Sequence, residues 1–79
     1  MRVAFWTVIF EGDNVPISLE VHATHAAARA SIQQALVSFG HDAAELEKAT
    51  DDDLTETYAE AADGICLLER HELTLELEV

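Results

Sequence analysis

The sequence predicts an α+β fold in the order β-β-α-α-β-β, a four-stranded antiparallel sheet with helices packed on one face. Three observations lead there. Both ends of the chain carry segments rich in strand-forming or alternating residues, the middle repeats apolar residues at helical spacing, and turn or capping residues separate the segments. The 79 residues, 49% hydrophobic and 25% charged, are enough for one folded domain over 1–79 and too few for a second core.

Residues 3–10, VAFWTVIF, are β-branched and aromatic and read as a strand. EGDN at 11–14 is turn chemistry. Residues 15–22 alternate, with Val15, Ile17, Leu19 and Val21 on one face and Ser18, Glu20 and His22 on the other, so they read as a half-buried strand. Pro16 lacks an N–H and favours an edge or a strand start. Together these segments make a hairpin.

Thr24 is a good N-cap for the helix at 25–39, where Ala28, Ile32, Ala35, Leu36 and Phe39 form an apolar stripe before Gly40 stops it. Asp42 with Glu45 resembles a capping box opening a short helical piece. Thr50, with Asp53 three residues on, caps again after a break near 49–51, and the helix that follows runs to about Ala62. Leu54, Tyr58 and Ala61 are its expected apolar stripe. Residues 65–70 and 73–79 read as a closing pair of strands joined by a tight turn at 70–72, with Leu73, Leu75, Leu77 and Val79 alternating against polar residues. The first strand is apolar on both faces, with Phe5 and Ile9 on one and Trp6, Val8 and Phe10 on the other. One face packs on the helices. The expectation is that Trp6 and Phe10 lie on the uncovered face, where a homodimer or partner contact would shield them; the alternative is that the helices or a terminus wrap around.

The net charge is −12, from 16 acidic against 4 basic residues, and it is uneven. Residues 1–40 carry Glu11, Asp13 and Glu20 against Arg2 and Arg29, whereas residues 41–79 hold every other acid against Lys48 and Arg70. Direct nucleic-acid binding is disfavoured because phosphates are repelled, and so is an anionic membrane surface. The natural partner is a basic protein surface, of the kind nucleic-acid-binding proteins carry. Cys66 is the one cysteine, so no internal disulfide forms. The apolar run at 3–10 is too short to span a bilayer and lacks a signal-peptide cleavage site. The expected compartment is the cytoplasm.

Motifs for chemistry are weak. His22 and His25, with Cys66 or His71, offer zinc-type ligands without a zinc-site spacing, so surface or capping roles are expected. Asp51, Asp52 and Asp53 lack the glycine and distant Glu of a calcium loop. Cys66 sits among Ile65, Leu67 and Leu68 and reads as an inert buried thiol. No phosphate loop or nucleophile elbow is present. No enzyme activity and no cofactor is expected.

The charge itself is the feature with functional content. Residues 50–63 hold Asp51, Asp52, Asp53, Glu56, Glu60 and Asp63 with no basic residue. The first three gain from the dipole at a helix N-terminus, by about 0.3–1 kcal/mol each. Asp52, Glu56 and Glu60 lie at i, i+4, i+8, about 6 Å apart along the axis. Two base-pair steps along a DNA strand advance about 6.8 Å. Such a row can present charge as a phosphate strand does and fill an Arg- and Lys-lined groove, with Glu45 and Glu47 extending the patch. The plain alternative is a solvated face that keeps the protein soluble.

A hairpin ending in EVHATHAAARASIQQAL resembles the strand, V-x-A and Ala-rich helix that open many small phage and mobile-element proteins. With its short length, single domain and acidic half, the chain is similar to phage-encoded anti-CRISPR proteins, particularly inhibitors of type I systems. The resemblance covers most of the chain through size, pattern and charge. It implies binding to the Cascade surveillance complex through an acidic, DNA-mimicking surface that blocks target DNA. The other reading is a non-mimic module, an antitoxin or phage regulator, that binds through the apolar sheet face around Trp6.

Overall fold

The computed structural model describes residues 1–13 and 15–75, without the side chain of Val15. Its elements are β1 (Arg2–Gly12), β2 (Val15–His22), α1 (His25–Ser38), α2 (Ala43–Glu47), α3 (Asp51–Ala62) and β3 (Ile65–Thr74). Among the described residues the sheet is three-stranded and antiparallel in the order β2-β1-β3.

The α+β class holds, but the four-stranded β-β-α-α-β-β arrangement does not. The expected turn at 70–72 lies inside β3, where Arg70, His71 and Glu72 pair with Trp6, Phe5 and Ala4. β1 is 11 residues long and offers partners along its whole length. The stretch Arg-His-Glu lacks the Gly, Asn or Asp that tight hairpins favour, so continuing the ladder satisfies its backbone groups better than a hairpin would. Leu77 and Val79, assigned to a fourth strand, lie outside the described residues.

The helices follow their caps. The Thr24 side chain accepts from the Ala27 N–H at 3.1 Å. α1 ends in a Schellman pair: the His41 N–H donates to the Leu36 carbonyl at 3.1 Å, and the Gly40 N–H to Val37 at 3.0 Å. Gly40 supplies the required positive φ of 96°. Asp42 caps α2 through the Ala44 N–H. Thr50 and Asp53 make a reciprocal capping box on α3. At the other end Asp63 adopts the left-handed conformation, with φ 52°, and Gly64 starts the return toward the sheet.

The core lies between one face of the sheet and the helices. Val8 and Phe10 of β1 meet Ala28, Ile32 and Leu36 of α1, Leu46 of α2, Leu54, Tyr58 and Ala62 of α3, and Cys66 of β3. Phe10 and Tyr58 are tilted against each other at 4.8 Å, and Phe39 meets Tyr58 edge-on at 5.8 Å. The buried stripe of α3 is Leu54, Tyr58 and Ala62, not Ala61, because the i, i+4, i+8 row faces the sheet.

Two face assignments are reversed. Phe10 is buried beneath the helices and Trp6 packs at the edge of the same core, so the face carrying them is the covered one. In β2 the alternation is as expected, but Ile17, Leu19 and Val21 face away from the helices and are 72%, 63% and 65% exposed. Register decides this. Glu20 pairs with Val8 and Ser18 with Phe10, and cross-strand partners share a face. Glu20 therefore lies on the helix side, where it accepts from the Ser31 hydroxyl and pairs with His22 at 2.8 Å.

Candidate functional site

The acidic surface is built on α3 and α2. The buried row Leu54, Tyr58 and Ala62 fixes how α3 sits on the sheet. Asp52, Glu56 and Glu60 lag that row by two residues, about 200° round the helix, so they point away from the core. All three are exposed, and none forms an ion pair among the described residues. Glu45 and Glu47 on α2 and Asp63 at the end of α3 are exposed as well.

The expected patch is not uniform. Asp51 leaves the ridge to bind across the helix layer. It accepts from Arg29 Nη1 and pairs with His25 Nε2 at 2.7 Å. A second guanidinium nitrogen of Arg29 donates to the Ala49 carbonyl at 2.6 Å. Burial pushes the Asp51 carboxyl up, but the Arg29 and His25 bonds and charges outweigh it and hold the group below its ordinary range. Asp53 is occupied by the capping box. The free row is therefore Asp52, Glu56 and Glu60, while Asp51 and Asp53 hold the start of α3 in place.

The Arg29–Asp51–His25 cluster has a partial signal in the sequence. His25 and Arg29 are four residues apart and share one helix face, but nothing local shows that Asp51 comes to meet them. His25 also stacks on Trp6 at 5.9 Å, and the Arg70 guanidinium lies 5.9 Å over the same ring.

The other candidate groups scatter. His22 pairs with Glu20, His25 with Asp51 and His71 with the Thr7 hydroxyl at 2.9 Å. Among the described residues no three His, Cys, Asp or Glu side chains gather into a metal-holding group. Burial, with a smaller contribution from Glu20, pushes the Cys66 thiol up to about 11, which keeps it protonated and unreactive. A shallow depression of about 440 Å³ runs between Glu11, Asp13, Asp63 and Gly64, beside the end of α3 and off the Asp52–Glu56–Glu60 row. Among the described residues, no helix is long and apolar enough to cross a membrane.

No family profile, no curated protein and no solved structure matches the chain.

Proposed function

We propose that the protein is an acidic inhibitor that occupies a basic, nucleic-acid-binding groove on a partner protein. One observation carries the reading: Asp52, Glu56 and Glu60 form an exposed row along α3 with no cation of the described chain paired to any of them. Ordinary helix surfaces intersperse both signs of charge. A rigid row at about 6 Å intervals is pre-organised for a groove lined with Arg and Lys, and the summed field steers the approach. Asp51, tied to Arg29 and His25, anchors the helix end that presents the row. Glu45, Glu47 and Asp63 widen the patch.

The proposed partner is Cascade, which the resemblance to type I anti-CRISPR proteins implies, and the proposed compartment is the cytoplasm. The mode of action is occlusion, with no catalytic step and no cofactor. An apolar module around Trp6 is a weaker reading because that ring is stacked against His25 beside the core.

The test is target-DNA binding by Cascade with and without the protein, at about 50 and 200 mM salt. Wild type is expected to displace DNA strongly at the lower salt and weakly at the higher. The variant Asp52→Lys, Glu56→Lys, Glu60→Lys is expected to keep its circular dichroism and lose inhibition. A triple variant that inhibits as well as wild type would overturn the proposal.

A further inference from the structure

Among the described residues, the side of the sheet away from the helices is apolar and nothing covers it. Ile17, Leu19 and Val21 of β2 and Ile65, Leu67 and Leu73 of β3 are between 44% and 72% exposed. They flank Val3, Phe5 and Ile9 of β1 on the same face, by the pairings Val3–Leu73, Ile9–Leu19 and Ile9–Leu67. We infer that this face is a homodimer interface, on which two copies of the chain pack sheet against sheet. The inference concerns a different surface from the acidic row and does not rest on it.

Area is the first argument. At those exposures the six flanking side chains leave roughly 650 Å² open on one copy, and a stable interface covers about 800 Å² per partner. Phe5 and Ile9 of the central strand and His71 of β3, all half-buried, supply much of the remainder. An apolar patch on a monomer is ordinarily about 300–600 Å², so this face is larger than a solvated one needs to be.

Charge is the second argument. A second copy carries the same net charge of −12, so association requires the acids to stay apart. The fold separates them. Asp52, Glu56, Glu60, Glu45, Glu47 and Asp63 belong to the helical layer, behind the opposite face of the sheet. On the open face the described acids are Glu11, near the end of β1, and Glu69, on the edge strand β3. Glu11 can reach the rim, and the Glu69 carboxylate lies 3.7 Å from His71 Nε2. The central polar groups satisfy each other, since Thr7 and His71 are hydrogen-bonded and His71 stacks on Phe5 at 5.1 Å. A two-fold axis through such a face buries it against itself, with strands near-aligned and sheets about 10 Å apart. The two acidic rows then point outward on opposite sides.

Sedimentation equilibrium over a wide concentration range tests this directly. The expected result is a mass twice 8.7 kDa, with association strengthened by salt because repulsion between the copies is screened. The variant Leu19→Glu, Leu67→Glu is expected to sediment as a monomer with an unchanged circular dichroism spectrum. The triple lysine variant of Asp52, Glu56 and Glu60 is expected to remain dimeric, which separates this inference from the inhibitor reading. If the double variant loses its fold, Ile17→Lys on the edge strand provides the same readout. A monomer at every concentration and salt, an assembly of any other size, or a dimer that survives the face substitutions would overturn the inference. In the first case the face is left for the apolar segment of a different protein.

Discussion

Replacing Gly64 with alanine is expected to remove a substantial part of the stability, and the size of the loss follows from two backbones in close approach. A Cβ at position 64 would fall 2.0 Å from the Glu11 carbonyl oxygen, 2.5 Å from Gly12 Cα and 2.7 Å from the Glu11 carbonyl carbon. Ordinary contact begins at 3.4 Å, so either the end of α3 or the end of β1 must retreat by more than an ångström. All three neighbours are backbone atoms, so no change of rotamer relieves the clash. The region is also tied by the Asp13 N–H to the Ala62 carbonyl at 3.0 Å and the Gly64 N–H to Ala59 at 3.0 Å. Overpacking of this kind costs about 1–3 kcal/mol, and a contact this short belongs at the upper end. For a domain of this size each kcal/mol moves Tm by about 4–8 °C, so a fall of roughly 10–20 °C is expected. Gly40→Ala is the control. Nothing lies within 4 Å of its added Cβ, and only the positive φ of 96° resists the change, at about 1–2 kcal/mol. Thermal and urea unfolding of both variants, followed by far-ultraviolet circular dichroism, measures the difference. A Gly64→Ala protein within about 0.5 kcal/mol of the parent, or more stable than Gly40→Ala, would refute the reasoning.

Other expectations concern titratable groups. Asp51 has its folded-state pKa lowered, so its contribution is complete above the unfolded value near 3.8 and is lost as pH falls through the lower folded value. Asp51→Asn is therefore expected to be less stable than the parent at neutral pH, with the gap narrowing as pH falls below 3.8 and through the lower folded value. Denaturant melts across that range measure the gap, and one that stays constant into acid would contradict the assignment. Cys66 is buried, with its thiol pushed up to about 11. A disulfide-exchange reagent at mildly alkaline pH is expected to label the folded protein only as fast as it opens, and the denatured protein at once. Immediate labelling of the folded chain would show that the thiol is exposed.

Much of the fold is legible because it is local. Thr24, Gly40, Asp42, Thr50 and Asp53 act within a turn of their own positions, and each acts as a cap or stop where the sequence indicates one. The β1–β2 hairpin is equally local. What failed was relational. A period of two says that Ile17, Leu19 and Val21 share a face but not which face the helices cover; that is set by register against Val8 and Phe10. The polar stretch at 70–72 interrupts the apolar pattern and so suggests a turn, but it lacks Gly, Asn or Asp, and pairing along the long β1 keeps it extended. At the candidate site the exposed row of Asp52, Glu56 and Glu60 is visible from helix geometry. The diversion of Asp51 to Arg29 is not, because it joins two helices whose approach no local pattern encodes.

The central strand has a consequence for biosynthesis. β1 gains one neighbour almost immediately, across a short turn, but its other flank waits for residues far downstream: Thr7 and His71, bonded in the folded protein, are 64 positions apart. At about 5–20 residues per second, a ribosome takes roughly 3–13 s to bridge that gap. Throughout that interval Val3, Phe5, Trp6, Val8, Ile9 and Phe10 stand in a nascent chain with one strand edge unpaired. The strand that organises the finished sheet thus completes its pairing only after β3 has been made.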